Sequence, residues 1–146
     1  MPVDPSLLGR TYPPSRPYEV GREKIREFAD ALGDDHPAYR DPEAAKALGY
    51  PDVLAPLTFP IVFALDAAMA VLRDLGIDLA RVVHGDQTFR YARPLRPGDR
   101  LLTTVEVTGV KALAGNDVLT VECVSATEEG EHVVTSVCTL VHRGAE

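Results

Sequence analysis

The chain of 146 residues is 45% hydrophobic and 25% charged, a balance that fits one globular domain spanning positions 1–146. Its formal net charge of −7 excludes a general binder of nucleic acid or anionic membrane, because both need a surplus of Lys and Arg. No apolar run approaches the ~20 residues of a membrane-spanning helix, and Met1 to Gly9 lacks the charged-then-apolar order of a signal peptide, so a cytoplasmic location is expected.

The first twenty residues are extended and proline-rich, with Thr11, Tyr12, Tyr18 and Val20 suited to an edge strand. Ile25, Phe28, Ala29 and Leu32 then fall at i, i+3, i+4 and i+7, the apolar stripe of an amphipathic helix, and Gly33 sits where its left-handed cap belongs. Asp34 to Asp41 is a turn-rich loop containing Pro37. A short helix from Pro42 to Leu48 follows, with Asp41 as its cap, Pro42 in its first position and Gly49 at its end. Thr58 is the expected N-cap of a longer helix within Phe59 to Leu75. Apart from Asp66, positions 61–72 are apolar on every side, which predicts a helix buried all round.

From Arg81 onward the period is two. Strands are expected at Val82 to Ala92, Arg100 to Lys111, Asn116 to Thr127 and His132 to His142, broken by Pro94, Pro97, Gly98, Gly115 and Gly130. Cys123 and Cys138 become near neighbours if the last two strands pair as a hairpin, and are read as buried, reduced thiols. Helices first and an antiparallel meander after them indicate an α+β fold with a curved sheet wrapped around one apolar helix.

Residues 31–41 read Ala-Leu-Gly-Asp-Asp-His-Pro-Ala-Tyr-Arg-Asp. This resembles the hydratase signature of MaoC-like proteins, Gly-Asp-x-Asn-Pro-x-His followed by an acidic residue. Ala55-Pro56-Leu57-Thr58-Phe59 is similar to that family's entry into its central helix. Val83 to Phe89 and Arg93-Pro94-Leu95-Arg96-Pro97-Gly98-Asp99 are similar to its strand-and-turn continuation. The resemblance covers nearly the whole chain and implies the hotdog fold. It also implies syn-elimination of water from a 3-hydroxyacyl thioester, which needs a base for the C2 proton and an acid for the departing hydroxyl. No cofactor or metal is implied; the four histidines and two cysteines lack ligand spacing, and neither a phosphate loop nor a nucleophile elbow occurs.

Carried over residue by residue, Asp34 matches the family's aspartate, His36 replaces its asparagine, Pro37 is retained and Tyr39 stands where its histidine belongs. A tyrosine, with an ordinary pKa near ~10, is a poor base at neutral pH. His36 carries an imidazole, a side chain suited to acid–base work, but follows Asp34 by two residues instead of five. Asp34 and His36 are thus either a substitute catalytic pair or loop architecture, with Asp34 accepting backbone N–H bonds and His36 donating to a carbonyl. The resemblance is to heteromeric (3R)-hydroxyacyl-[acyl carrier protein] dehydratases, in which a subunit without the histidine pairs with a histidine-bearing hotdog chain. Gly9 to Pro14 and Val20 to Ile25 also resemble such noncatalytic subunits.

On that reading the substrate is an acyl thioester on acyl carrier protein or coenzyme A. The partner is a histidine-bearing hotdog chain in a heterodimer, or a second copy in a homodimer. Tyr39, Thr58, Phe59, His84, Gly85 and Arg93 are the implied substrate contacts. His84 either meets the thioester or pantetheine arm or bonds a neighbouring loop. Arg90, Arg93, Arg96 and Arg100 form either a patch for an anionic carrier or solvated strand ends paired with Asp86 and Asp99. Asp66, on the apolar helix, is the carboxylate that a hotdog thioesterase would use, or else a residue facing a partner or tunnel mouth. The alternatives to a dehydratase subunit are a homomeric enoyl hydratase using Asp34 and His36, a non-enzymatic acyl-thioester binder, and a thioesterase.

Overall fold

A computed structural model describes residues 2–145. Helix α1 spans Arg22–Leu32 and buries Ile25 and Ala29. Gly33, at φ 70°, turns its N–H back onto the carbonyls of Ala29 and Asp30 and ends the helix. Helix α2 spans Pro42–Ala47; the Asp41 side chain accepts from the Glu43 N–H at 2.9 Å, and proline takes the first turn. Helix α3 spans Ile61–Asp74.

Six strands form one antiparallel sheet: β1 (Thr11–Tyr12), β2 (Tyr18–Glu19), β3 (Val82–Tyr91), β4 (Arg100–Leu113), β5 (Asn116–Thr127) and β6 (His132–His142). The order is β1-β4-β5-β6-β3, with β2 also on β4, so β3 is an edge strand. The proline-rich arm therefore supplies two short edge strands, with Thr11 opposite Glu106 and Tyr18 opposite Leu101. Ala114 at φ 52° and Gly115 at φ 78° give the tight β4–β5 turn the two positive φ values that match strand twist. The register puts Val121 opposite Cys138 and Cys123 opposite Ser136, so the two thiols are diagonal neighbours, free and buried. Burial pushes both thiols up, Cys123 to about 12 and Cys138 to about 11, which makes them inert packing groups.

Helix α3 packs on the sheet through Phe63, Ala64, Ala68 and Leu72. The small residues let it approach closely; the Cys123 Sγ lies 3.6 Å from the Ala64 carbonyl oxygen. Phe59, fully buried, meets Phe28 edge-on at 5.4 Å and Phe63 at 6.5 Å. This is the hotdog arrangement.

Two expectations need correction. Thr58 is exposed and does not cap α3 with its side chain. The chain turns through Thr58 to Pro60 before the helix begins, and only the Thr58 carbonyl accepts, from the Ile61 N–H. Helix α3 is also not buried all round: Asp66 and Ala70 are exposed, and Val62, Ala67 and Met69 are only partly covered. One sheet covers one side of a helix, so the apolar outer face stays open in this chain alone. Among the described residues no helix is long and apolar enough to cross a membrane.

Candidate functional site

A largely apolar groove of about 570 Å³ lies between edge strand β3, the last turns of α1 and the approach to α3. Phe28, Leu32, Leu57, Ile61 and Phe89 supply its apolar walls. Thr58, His84, Gln87, Thr88 and Tyr91 supply polar atoms, and none of the lining side chains is a carboxylate. The Tyr91 hydroxyl donates to the Leu57 carbonyl at 2.8 Å, tying strand β3 to the loop that enters α3. Burial holds that phenol far above its ordinary pKa, so it stays a neutral donor.

The groove contains one imidazole. His84 Nε2 lies 3.0 Å from Gln87 Oε1, and Gln87 Nε2 donates to the Thr88 carbonyl at 3.2 Å. The second bond orients the amide so that its Oε1 faces the His84 ring. His84 is the third residue of β3, at a bulge between His84 and Asp86 that breaks the ladder register and turns the strand edge. Gly85 lies in that bulge, where an added Cβ would meet the Thr139 carbonyl oxygen at 3.4 Å.

The loop after α1 is a separate cluster, built of short-range bonds. The Asp34 Oδ1 accepts from the His36 N–H at 3.1 Å, and His36 Nδ1 accepts from the Ala38 N–H at 3.1 Å. These bonds lead into a 3₁₀ turn at Pro37–Tyr39. Arg40 donates to the His36 carbonyl at 3.3 Å and pairs with Asp30 at 2.6 Å. Asp34 thus accepts a backbone N–H, as the loop alternative expects. His36 accepts through Nδ1 instead of donating to a carbonyl, because the 3₁₀ turn presents it with an N–H. The rings of His36 and Tyr39 are 5.8 Å apart. Tyr39 is partly buried, and that desolvation, with the Asp34 charge second, raises its phenol above the ordinary value. It is therefore further from being a base at neutral pH than a free tyrosine.

Of the implied substrate contacts, Thr58 and His84 line the groove, while Tyr39, Phe59, Gly85 and Arg93 do not. Phe59 is a core residue. Arg93 is held at 3.0 and 2.9 Å by the two oxygens of Asp99 and at 2.7 Å by Glu131. The arginine cluster is likewise largely neutralised: Arg100 pairs with Glu19 and Glu128, and Arg90 approaches Glu122 at 3.8 Å. Of the four, only Arg96 has no ion pair among the described residues. Asp66 is exposed instead of buried and lies beside Ser15, Arg16 and Tyr18, away from the groove. Sequence reasoning missed Leu57, Gln87, Phe89 and Tyr91. Leu57, Gln87 and Phe89 lie within the family-like segments Ala55 to Phe59 and Val83 to Phe89, which is the signal that could have found them; Tyr91 lies outside both. Among the described residues no three His, Cys, Asp or Glu side chains are grouped to hold a metal.

Residues 6–136 match the family described as FAS1-like, dehydratase domain region. A UPF0336 protein of Streptomyces avermitilis is 58% identical over 148 residues, covering 100% of this chain and 99% of that protein. One of Saccharopolyspora erythraea is 57% identical, covering 99% and 94% respectively. A chain of the HadBC (3R-hydroxyacyl-ACP dehydratase) complex from Mycobacterium tuberculosis superposes with a TM-score of 0.88 at 31% identity, covering 97% of this chain and 99% of that one. A MaoC-like dehydratase superposes with a TM-score of 0.82 at 37% identity, with this chain spanning 43% of its length. The fold, the order of motifs and these relatives agree: the chain belongs to the FAS1-like dehydratase domain family of MaoC-like hotdog proteins.

Proposed function

We propose that this chain, as a single cytoplasmic hotdog domain, is the acyl-binding subunit of a (3R)-hydroxyacyl-thioester dehydratase, working in the hydration direction as an enoyl-thioester hydratase. A histidine-bearing hotdog partner supplies the catalytic Asp/His pair. The observation that carries this reading is the separation of parts. An apolar groove holds one imidazole and no carboxylate, while Asp34 and His36 are engaged in a turn and Tyr39 occupies the histidine position. The chain has a place for an acyl group and no acid–base pair beside it.

The division of labour follows from the reaction. Elimination moves the C2 proton to a base and releases the C3 hydroxyl, protonated by an acid, as water. This chain's part is to hold the substrate. The walls of the groove shed water around an acyl chain, and the His84 ring at its edge offers a polar contact to the thioester arm. Edge strand β3 offers unpaired backbone groups that a second hotdog sheet can join, and that joining closes the groove. The HadBC complex, similar over nearly the full length of this chain, supports a two-chain arrangement.

Thr58→Trp tests the groove, because Thr58 is exposed at its rim and contributes no side-chain bond to the fold. In the reconstituted pair the variant is expected to raise KM for a medium-chain trans-2-enoyl thioester about tenfold while kcat falls less. That is the pattern of lost ground-state binding. Steady-state hydration kinetics measure it; an unchanged KM would place the acyl chain elsewhere.

A further inference from the structure

Beneath α3 lies a second, much smaller cavity of about 10 Å³, the space of about one water molecule. Ala64, Leu65, Cys123, Ser136 and Cys138 wall it, together with Gln87. Gln87 also lines the acyl groove and is the one residue common to both spaces.

Two elements lead from one space to the other. On α3, Ile61 lines the groove, while Ala64 and Leu65, three and four positions later on the same helix face, line the cavity. On the sheet, Phe89 of the groove pairs with Ser136 of the cavity wall, and Gln87 pairs with Cys138. Groove and cavity are thus parts of one cleft between α3 and the sheet, and Gln87 stands across it. The walls beyond it are small. Strand β6 places Ser136 and Cys138 between Val134 and Leu140, and β5 places Cys123 after Val121, so the core thins at this layer.

The Gln87 side chain is partly buried, and its hydrogen bonds run only to His84 and to the Thr88 carbonyl, both on its own strand. Among the described residues neither end of the amide fastens β3 to another element. Its length ties nothing together; it fills the cleft.

We propose that Gln87 closes the deep end of the acyl groove and so sets the upper length of the acyl chain accepted, an inference that rests on the groove being the acyl site. A saturated chain that reaches Gln87 meets an amide whose polar atoms are already bonded, and passes only by displacing it. Alanine at this position removes a methylene and the carboxamide and joins the cavity to the groove. That makes room for about two further methylenes, each worth about a fourfold gain in binding when buried.

The test is hydration, by the reconstituted pair, of a series from but-2-enoyl to dodec-2-enoyl coenzyme A, with the parent, Gln87→Ala and Gln87→Leu compared. In Gln87→Ala the ratio of kcat/KM for the dodecenoyl over the butenoyl thioester should rise about tenfold or more, as two buried methylenes require. Gln87→Leu keeps most of the volume and loses the bond to His84. Its ratio should stay within about twofold of the parent even where both values fall together, the mark of a loss common to all chain lengths. A ratio unchanged in Gln87→Ala, or raised as far in Gln87→Leu, would overturn the proposal. If the ratio is unchanged while Thr58→Trp raises KM, the gate is lost and the groove remains the acyl site. If Thr58→Trp also leaves KM unmoved, the acyl-site reading falls with it.

Discussion

In the reconstituted pair, Asp34→Asn and His36→Ala in this chain should each change turnover of an enoyl thioester by less than about threefold. Replacing the histidine of the partner's motif should lower kcat by about 10² to 10⁴, the usual contribution of a positioned acid–base group. The asymmetry follows from what each side chain is bonded to. Asp34 and His36 are committed to the N–H groups of His36 and Ala38, and Tyr39 carries a phenol pushed above its ordinary value by burial. Their loss loosens a turn and removes no proton-transfer step. Parallel hydration assays on both sets of variants check this. A collapse of kcat in His36→Ala with normal folding would instead support a homomeric enzyme using Asp34 and His36.

The second large effect concerns stability. Arg93 bridges the β3–β4 connection to the β5–β6 turn, with side-chain exposures of 18% for Arg93, 7% for Asp99 and 55% for Glu131. Arg93→Ala leaves the Asp99 carboxylate buried with only backbone support from the Arg96 N–H at 3.0 Å. Breaking such a pair costs about 3–5 kcal/mol, to be read from urea unfolding at neutral pH. The double variant Arg93→Met, Asp99→Leu should recover most of that loss, because it buries no unpaired charge. Glu131 adds a pH signature. Its hydrogen bond to Arg93 holds the carboxyl below the ordinary glutamate value. That contribution is present above the unfolded pKa and disappears as pH falls through the depressed folded one. The acid limb of the stability curve should therefore be shallower in Arg93→Ala than in the parent.

Much of the fold was legible because it rests on local chemistry. The stripe from Ile25 to Leu32, the caps at Gly33 and Asp41, and the alternation in β5 and β6 each need only neighbours in sequence. The corrections share a different cause. Thr58 reads as a cap, yet Pro60 delays the helix until Ile61. The apolar circumference of α3 reads as complete burial, yet a single sheet leaves its Asp66 and Ala70 side open. An outer face this apolar around one carboxylate is a face that only a further surface can cover. The site was legible as a motif and not as a place. Tyr39 marks the departure from the hydratase signature from sequence alone, whereas the groove arises where β3, α1 and the loop before α3 meet. Those are segments up to 63 residues apart, from Phe28 to Tyr91, joined by a bond, Tyr91 to Leu57, that no spacing rule announces. Arg93 shows the same limit: it lies within a motif-like run but is held by Asp99 and by the distant Glu131.

The most direct measurement is hydration of a trans-2-enoyl thioester by the purified chain alone and after mixing with a hotdog chain bearing the Asp-x-Asn-Pro-x-His motif. Turnover near background is expected for the lone chain, with a gain of about two orders of magnitude or more over the sum of the separate chains once the pair forms. Substantial turnover by the lone chain, undiminished by dilution and unaffected by the partner, would contradict it.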